Sequence, residues 1–131
     1  MESNFQAESS HSGYEFEDLV YEDLLSRGFT EIQQDVHMLG TGCEVDFIAN
    51  SIEFVECKGG KRGNGKRPGA KRTDNVKKAI ANAALIKVKY PNIYYVAYFS
   101  SHPKPGSYSE EMISTALDSG IVDEVRYIYY K

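Results

Sequence analysis

Tryptophan is absent from this chain, and cysteine, histidine and proline are scarce, at two, three and four residues in 131. Cys43 and Cys57 are too few for the disulfide framework of a small secreted domain. A C-x₁₃-C pair without a matching pair of histidines is also a poor zinc site, and His11, His37 and His102 show no metal-ligand spacing, which leaves them surface or core roles. No apolar run approaches the roughly 18 to 20 residues that span a bilayer, so no membrane association is expected. Residues 1–12 carry Glu2 and Glu8 with no basic residue or apolar stretch, which is not the layout of a secretory signal. The expected address is therefore cytoplasmic rather than secreted. What is present, 41% hydrophobic and 26% charged residues, is the composition of an ordinary globular domain. At this length one domain is expected, spanning residues 13–131 behind a flexible N-terminal segment of residues 1–12.

A net charge of −4 conceals a sharp division. Residues 1–57 hold 13 acidic side chains against Arg27 alone, a net of −12. Residues 58–78 hold nine basic side chains against Asp74 alone, a net of +8, and the remainder is balanced with five of each sign. The basic stretch also contains Gly59, Gly60, Gly63, Gly65 and Gly69. Such a segment repels itself and is too flexible to fold alone, and it is what a loop tracking phosphates requires. Its plain alternative is a solvated loop that balances an acidic surface.

Periodicity predicts the elements. Phe16, Leu19, Val20, Leu24 and Leu25 recur at helical spacing over about 13–26, with Gly28 at the expected C-terminus. Short β-rich runs at 31–37, 44–49 and 52–58, broken by Gly40, Gly42 and the Asn50-Ser51 turn, predict three strands, the last two a hairpin. After the basic loop, Thr73 is placed as the cap of a helix reaching Lys89, stopped by Pro91. A buried strand at 93–100, a helix at 109–119 ended by Gly120 and a strand at 124–130 complete the order α, three β, α, β, α, β. The fold class is α/β, with a mixed central sheet flanked by helices. Tyr94, Tyr95, Tyr98, Tyr127, Tyr129 and Tyr130 fall in strands and are assigned to core or dimer-interface packing in preference to base-stacking platforms.

Chemistry is concentrated on the central strands. Side chains alternate along Phe54-Val55-Glu56-Cys57-Lys58, so Glu56 and Lys58 share one face and Val55 and Cys57 the other. On the preceding strand Asp46 stands among apolar neighbours, where a carboxylate needs a partner such as Lys58 or a cation. Two hard carboxylates plus water suit Mg²⁺ or Mn²⁺, and an adjacent lysine can orient a water acidified by the metal. The simpler alternative is a hairpin salt bridge between Lys58 and Asp46 with Glu56 solvated.

Taken in order, Gly13-Tyr14-Glu15-Phe16-Glu17 on a helix, Glu44-Val45-Asp46 on a strand and Glu56-Cys57-Lys58 on the next resemble the PD-(D/E)XK nuclease superfamily, the restriction-endonuclease-like fold. The resemblance covers residues 13–89. It implies an αβββαβ core, here extended by a C-terminal helix and strand. It also implies that Asp46 and Glu56 bind a divalent ion with the Cys57 carbonyl, that Lys58 positions the attacking water, and that Glu17 completes the acidic cluster. Val45 stands where the family has proline, and Cys57 fills its variable position, so no functional group is lost.

A competing match, Gly60-Lys61-Arg62-Gly63-Asn64-Gly65-Lys66, begins like a P-loop but fails at Arg67, where Ser or Thr would hold Mg²⁺, and at Pro68-Gly69, where a helix must begin. The expected function is therefore a Mg²⁺-dependent endonuclease, with Mn²⁺ able to substitute, hydrolysing phosphodiester bonds in DNA more readily than in RNA. Catalysis is assigned to Glu17, Asp46, Glu56 and Lys58. Backbone binding is assigned to Lys61, Arg62, Lys66, Arg67, Lys71, Arg72, Lys77 and Lys78. At this size a homodimer acting on two strands is plausible, and homing, restriction, junction-resolving and repair roles stay open. A non-catalytic nucleic-acid-binding module on the same fold is the alternative.

Overall fold

A computed structural model describes residues 12–59 and 69–130, with side chains from Phe16 onward in the first helix. The elements are α1 (Ser12–Ser26), β1 (Ile32–Met38), β2 (Cys43–Ala49), β3 (Glu53–Lys58), a 3₁₀ turn (Gly69–Lys71), α2 (Thr73–Lys89), β4 (Tyr94–Phe99), α3 (Tyr108–Ser119) and β5 (Glu124–Tyr127). The expected N-terminal segment and the basic run 61–67 lie outside the described residues.

The strands form one sheet in the order β1-β2-β3-β4-β5. β1, β2 and β3 are antiparallel neighbours joined by tight turns, whereas β3, β4 and β5 run parallel. Parallel neighbours need crossovers, and α2 and α3 supply them. Both crossovers step the same way along the sheet, so a common handedness lays both helices on one face. Here Val76, Ala79, Ala83 and Ile86 of α2 and Ile113 and Ala116 of α3 pack with Val45, Tyr95, Ala97 and Phe99. The opposite face is left for α1, whose Phe16, Val20 and Leu24 cover Phe47, Val55, Val96 and Tyr98.

The turn between β2 and β3 has Asn50 and Ser51 both at positive φ, 51° and 57°, and closes with Ile52 N–H on the Ala49 carbonyl at 2.8 Å. Asparagine tolerates that conformation, and its side-chain oxygen accepts the Thr30 and Glu31 N–H groups, tying the turn to the loop after α1. Helix α3 begins as its sequence suggests, with the Ser107 side chain accepting the Glu110 N–H, and ends at Gly120 with φ 80°.

One expectation is corrected. Thr73 is the first residue of α2 rather than its cap; Arg72 holds the cap position and makes no side-chain cap bond. The reason is local: the 3₁₀ turn leads straight into the helix, Ala70 N–H is held by the Ser101 carbonyl, and Asn75 Nδ2 donates to the Gly69 carbonyl. The tyrosines also divide. Tyr95 and Tyr98 are fully buried, but Tyr94 and Tyr129 are 41% and 54% exposed. Beyond β5 the Ile128 N–H still bonds the Phe99 carbonyl, and Ile128 and Tyr130 pack on the α1 side of the sheet, which leaves Tyr129 on the other side, against His102.

Candidate functional site

The hairpin of β1 and β2 contains an irregularity that regular strand geometry forbids. Along a strand, alternate residues keep to one face, yet Cys43 and Val45 pack beneath α2 while Phe47 and Ala49 pack beneath α1. On β1, Val36 and Met38 belong with the α2 face and Ile32 with the α1 face. Both strands therefore exchange faces between Val45 and Phe47 and at the opposing residues of β1. Asp46 and Asp35 sit at that exchange: the register pairs Gln34 with Phe47 and Val36 with Val45, leaving these two aspartates facing each other without a ladder pair. Asp35 accommodates the bend with φ 53°, a conformation that aspartate and asparagine tolerate better than other residues with a Cβ.

The same bend sends Asp46 toward β3. The β2–β3 ladder runs only from Ala49↔Glu53 to Phe47↔Val55, and where it would continue, Asp46 Oδ2 accepts the Cys57 N–H at 2.6 Å. A side chain has taken the place of a strand. Glu17, one residue after buried Phe16 on α1, completes the group: one carboxylate oxygen each from Glu17, Asp35 and Asp46 lies within 4.8 Å of the others. Three carboxylate oxygens gathered this closely are hard donors of the type that Mg²⁺ and Mn²⁺ take.

Proximity without compensation raises pKa values. Burial, followed by the Asp46 and Asp35 carboxylates, pushes Glu17 up to about 8. Burial, followed by Glu56, pushes Asp46 up to about 7, opposed by the Cys57 N–H and Lys58. With the two groups raised to about 8 and about 7 and acting on each other, the pair retains a proton near neutrality. The Cys57 thiol is pushed up by burial among the α1 residues, so this cysteine contributes its backbone rather than a thiolate.

Glu56 and Lys58 share a face as alternation demands, the one toward α2. Lys58 Nζ pairs with Glu56 Oε2 at 3.1 Å, with Glu56 5% and Lys58 21% exposed at the side chain. Glu56 Oε1 also accepts the Tyr95 hydroxyl at 2.9 Å, and Asn82 Nδ2 of α2 approaches at 3.4 Å. The alternative of a Lys58–Asp46 bridge with solvated Glu56 is thus not what forms: Glu56 is the buried partner. Glu56 lies outside the group of three carboxylates but near enough to Asp46 to act on its charge.

Sequence pattern brought Glu17, Asp46, Glu56, Cys57 and Lys58 into view; the fold brings Glu17 and Asp46 together, bonds the Cys57 N–H to Asp46, and sets Glu56 and Lys58 as an ion pair outside the carboxylate group. It missed Asp35, Asn82 and Tyr95. Counting back across the Gly40-Thr41-Gly42 turn would have placed Asp35 opposite Asp46, had the register been known. Of the basic residues, Lys71 and Arg72 are exposed on the 3₁₀ turn and its junction with α2, and Lys77 and Lys78 on the first turns of α2. Lys61, Arg62, Lys66 and Arg67 lie outside the described residues. Both described ends of the basic segment meet the end of β4: Ser100 Oγ donates to the Gly59 carbonyl at 2.5 Å, and Ala70 N–H to the Ser101 carbonyl at 3.2 Å. Among the described residues no helix is long and apolar enough to cross a membrane. Compared with known proteins, the chain matches no family model, no curated protein and no solved structure.

Proposed function

We propose that this chain is a divalent-metal-dependent nuclease of the restriction-endonuclease-like type that hydrolyses phosphodiester bonds in DNA. The observation carrying the proposal is the convergence of Glu17 from α1, Asp35 from β1 and Asp46 from β2 within 4.8 Å, with Asp46 on the strand next to the one that bears the Lys58–Glu56 pair. Carboxylates that repel one another and hold a proton in common are poorly stabilised by the protein alone, and a hard cation relieves the repulsion. Mg²⁺ or Mn²⁺ bound there would acidify a water and offset phosphate charge.

In this scheme Asp46, Glu17 and Asp35 hold the ion, with Glu56 and the Cys57 carbonyl beside them on β3. The Cys57 N–H fixes the Asp46 carboxylate through Oδ2, leaving Oδ1 for the ion. Lys58, steered by Glu56, directs its ammonium toward the water or the scissile phosphate, where negative charge grows in the transition state. Tyr95 and Asn82 keep Glu56 fixed so that Lys58 does not swing away. The exposed cations Lys71, Arg72, Lys77 and Lys78, together with the basic run in the sequence, bind phosphates along the strand. The acidic half of the sequence thus serves the metal and the basic segment serves the substrate.

Incubation with supercoiled, linear, branched and single-stranded DNA, each with Mg²⁺, Mn²⁺ or chelator, tests this. Metal-dependent cleavage lost in Asp46→Asn supports the nuclease. Binding without cleavage under every condition identifies instead a non-catalytic nucleic-acid-binding module.

A further inference from the structure

Three aromatic rings stand together at the carboxyl ends of β4 and β5: Tyr127 packs against the core, while His102 and Tyr129 lie outside both the core and the carboxylate site. His102, in the loop after β4, stacks on Tyr127 with ring centroids 3.9 Å apart and planes 27° apart. Tyr127 in turn stacks on buried Phe99 at 6.2 Å, so the array is backed by the core. Tyr129 tilts against His102 at 5.6 Å; its hydroxyl accepts the His102 N–H at 3.3 Å and touches Nδ1 of the same ring. The rings are fixed before any ligand arrives, yet His102 is exposed and Tyr129 keeps 54% of its surface in solvent.

Their position selects the ligand. In sheets of this kind ligands gather beyond the carboxyl ends of parallel strands. Ser100 and Ser101, which immediately precede His102, are the residues that hold Gly59 and Ala70, the two described ends of the basic segment. Lys71 and Arg72 follow at one of those ends and are exposed, and Lys104 adds a cation to the His102 loop. Fixed aromatic faces beside cations that follow a phosphate backbone are the two parts of a single-strand binding surface.

We infer that His102 and Tyr129, backed by Tyr127, form a stacking platform for an unpaired nucleobase of the bound strand. The inference rests on the nucleic-acid reading above and extends it to substrate form: DNA with unpaired bases is preferred to a fully paired duplex. The platform also departs from the sequence-based assignment of these tyrosines to packing.

The test uses the full chain in chelator, so that binding is read without cleavage. Three oligonucleotides are compared: a paired duplex, the same duplex with an unpaired arm carrying 2-aminopurine, and that arm with abasic sites in place of bases. The wild-type protein is expected to quench 2-aminopurine and to bind the base-bearing arm about 5- to 150-fold more tightly than the other two, the value of one to three kcal/mol for a stacked base. Tyr129→Ala and His102→Ala should remove the quenching and bring the arm down to the affinity of the duplex, and Tyr129→Phe should restore most of the difference. Equal binding of all three, together with general weakening by Lys71→Ser/Arg72→Ser, overturns the platform while leaving the nucleic-acid reading intact. Failure to bind any of the three overturns both. Loss of a dimer in Tyr129→Ala, with no change in DNA binding, also overturns the platform and assigns this face to a second copy of the chain.

Discussion

Under the proposed function Asp46 would carry two duties whose requirements differ. As an acceptor for the Cys57 N–H it needs only an oxygen, and as a ligand it needs a charge. Asp46→Asn should therefore fold normally and lose cleavage by at least about 100-fold, a difference read by thermal melts beside a plasmid-nicking assay. Asp35→Asn preserves a residue type tolerant of φ 53° while removing one of three clustered charges. It should raise the apo melting temperature at pH 8 and weaken Mg²⁺ binding; a variant that lowers both would show Asp35 to be structural. Lys58→Ala should also abolish cleavage, but at a stability cost of about 1–3 kcal/mol, because it leaves the buried Glu56 carboxylate without its ion partner. The chemistry-bearing residues of β2 and β3 were legible from alternation and spacing. Asp35 was not, because a polar residue in a polar edge strand has nothing in its own sequence to distinguish it from a solvated one.

At the scale of elements, the site depends on how closely α1 lies against the end of β3. A Cβ on Gly59 would stand 2.3 Å from Phe16 Cγ and 2.4 Å from its Cβ, clashes that no rotation of the ring relieves. Gly59→Ala should thus displace α1, costing about 1–3 kcal/mol in denaturant melts. It should also reduce cleavage beyond what stability explains, because Glu17 adjoins Phe16. Element positions followed from sequence to within a residue or two, except that β5 ends at Tyr127 rather than Tyr130, since Gly28, Asn50-Ser51, Pro91 and Gly120 mark ends by backbone chemistry that acts locally. Thr73 misled because capping depends on the direction from which the chain enters. Here the 3₁₀ turn, held by Ser101 and Asn75, determines that direction.

Across the whole molecule, the acidic pair should make stability depend on pH in an unusual sense. Glu17 and Asp46 have folded pKa values raised above those of unfolded carboxylates, so the native state binds more protons between about pH 4 and about pH 8. Stability from this pair is accordingly lost as pH rises through that window, the reverse of a salt-bridged carboxylate. Mg²⁺ should restore it, raising the melting temperature more at pH 8 than at pH 5, where protons compete for the ligands. Scanning calorimetry at both pH values checks this, and an equal or absent shift counts against the carboxylate site. The basic segment gives an independent expectation. Replacing Lys71, Arg72, Lys77 and Lys78 with Ser should weaken duplex binding alike on all sequences and lower the salt slope by about 0.9 for each phosphate that is no longer neutralised. An unchanged slope would leave these cations as a solvated face.

Local order and chemical inventory belong to the sequence. Turn residues, hydrophobic period and the division of charge act over a few neighbours, so the α/β succession, the basic segment and most of the candidate acidic and basic groups could be read without coordinates. The gathering of those groups could not. A strand's alternation predicts that Val45 and Phe47 share a face, but they do not, because the bend at Asp35 and Asp46 turns the hairpin from one side of the sheet to the other. That bend brings Asp35 to Asp46, frees Asp46 to hold Cys57, and leaves Glu56 to Lys58. The bend lies where the residues packed under α2 give way to those packed under α1, an arrangement of distant elements that no window of neighbouring residues contains.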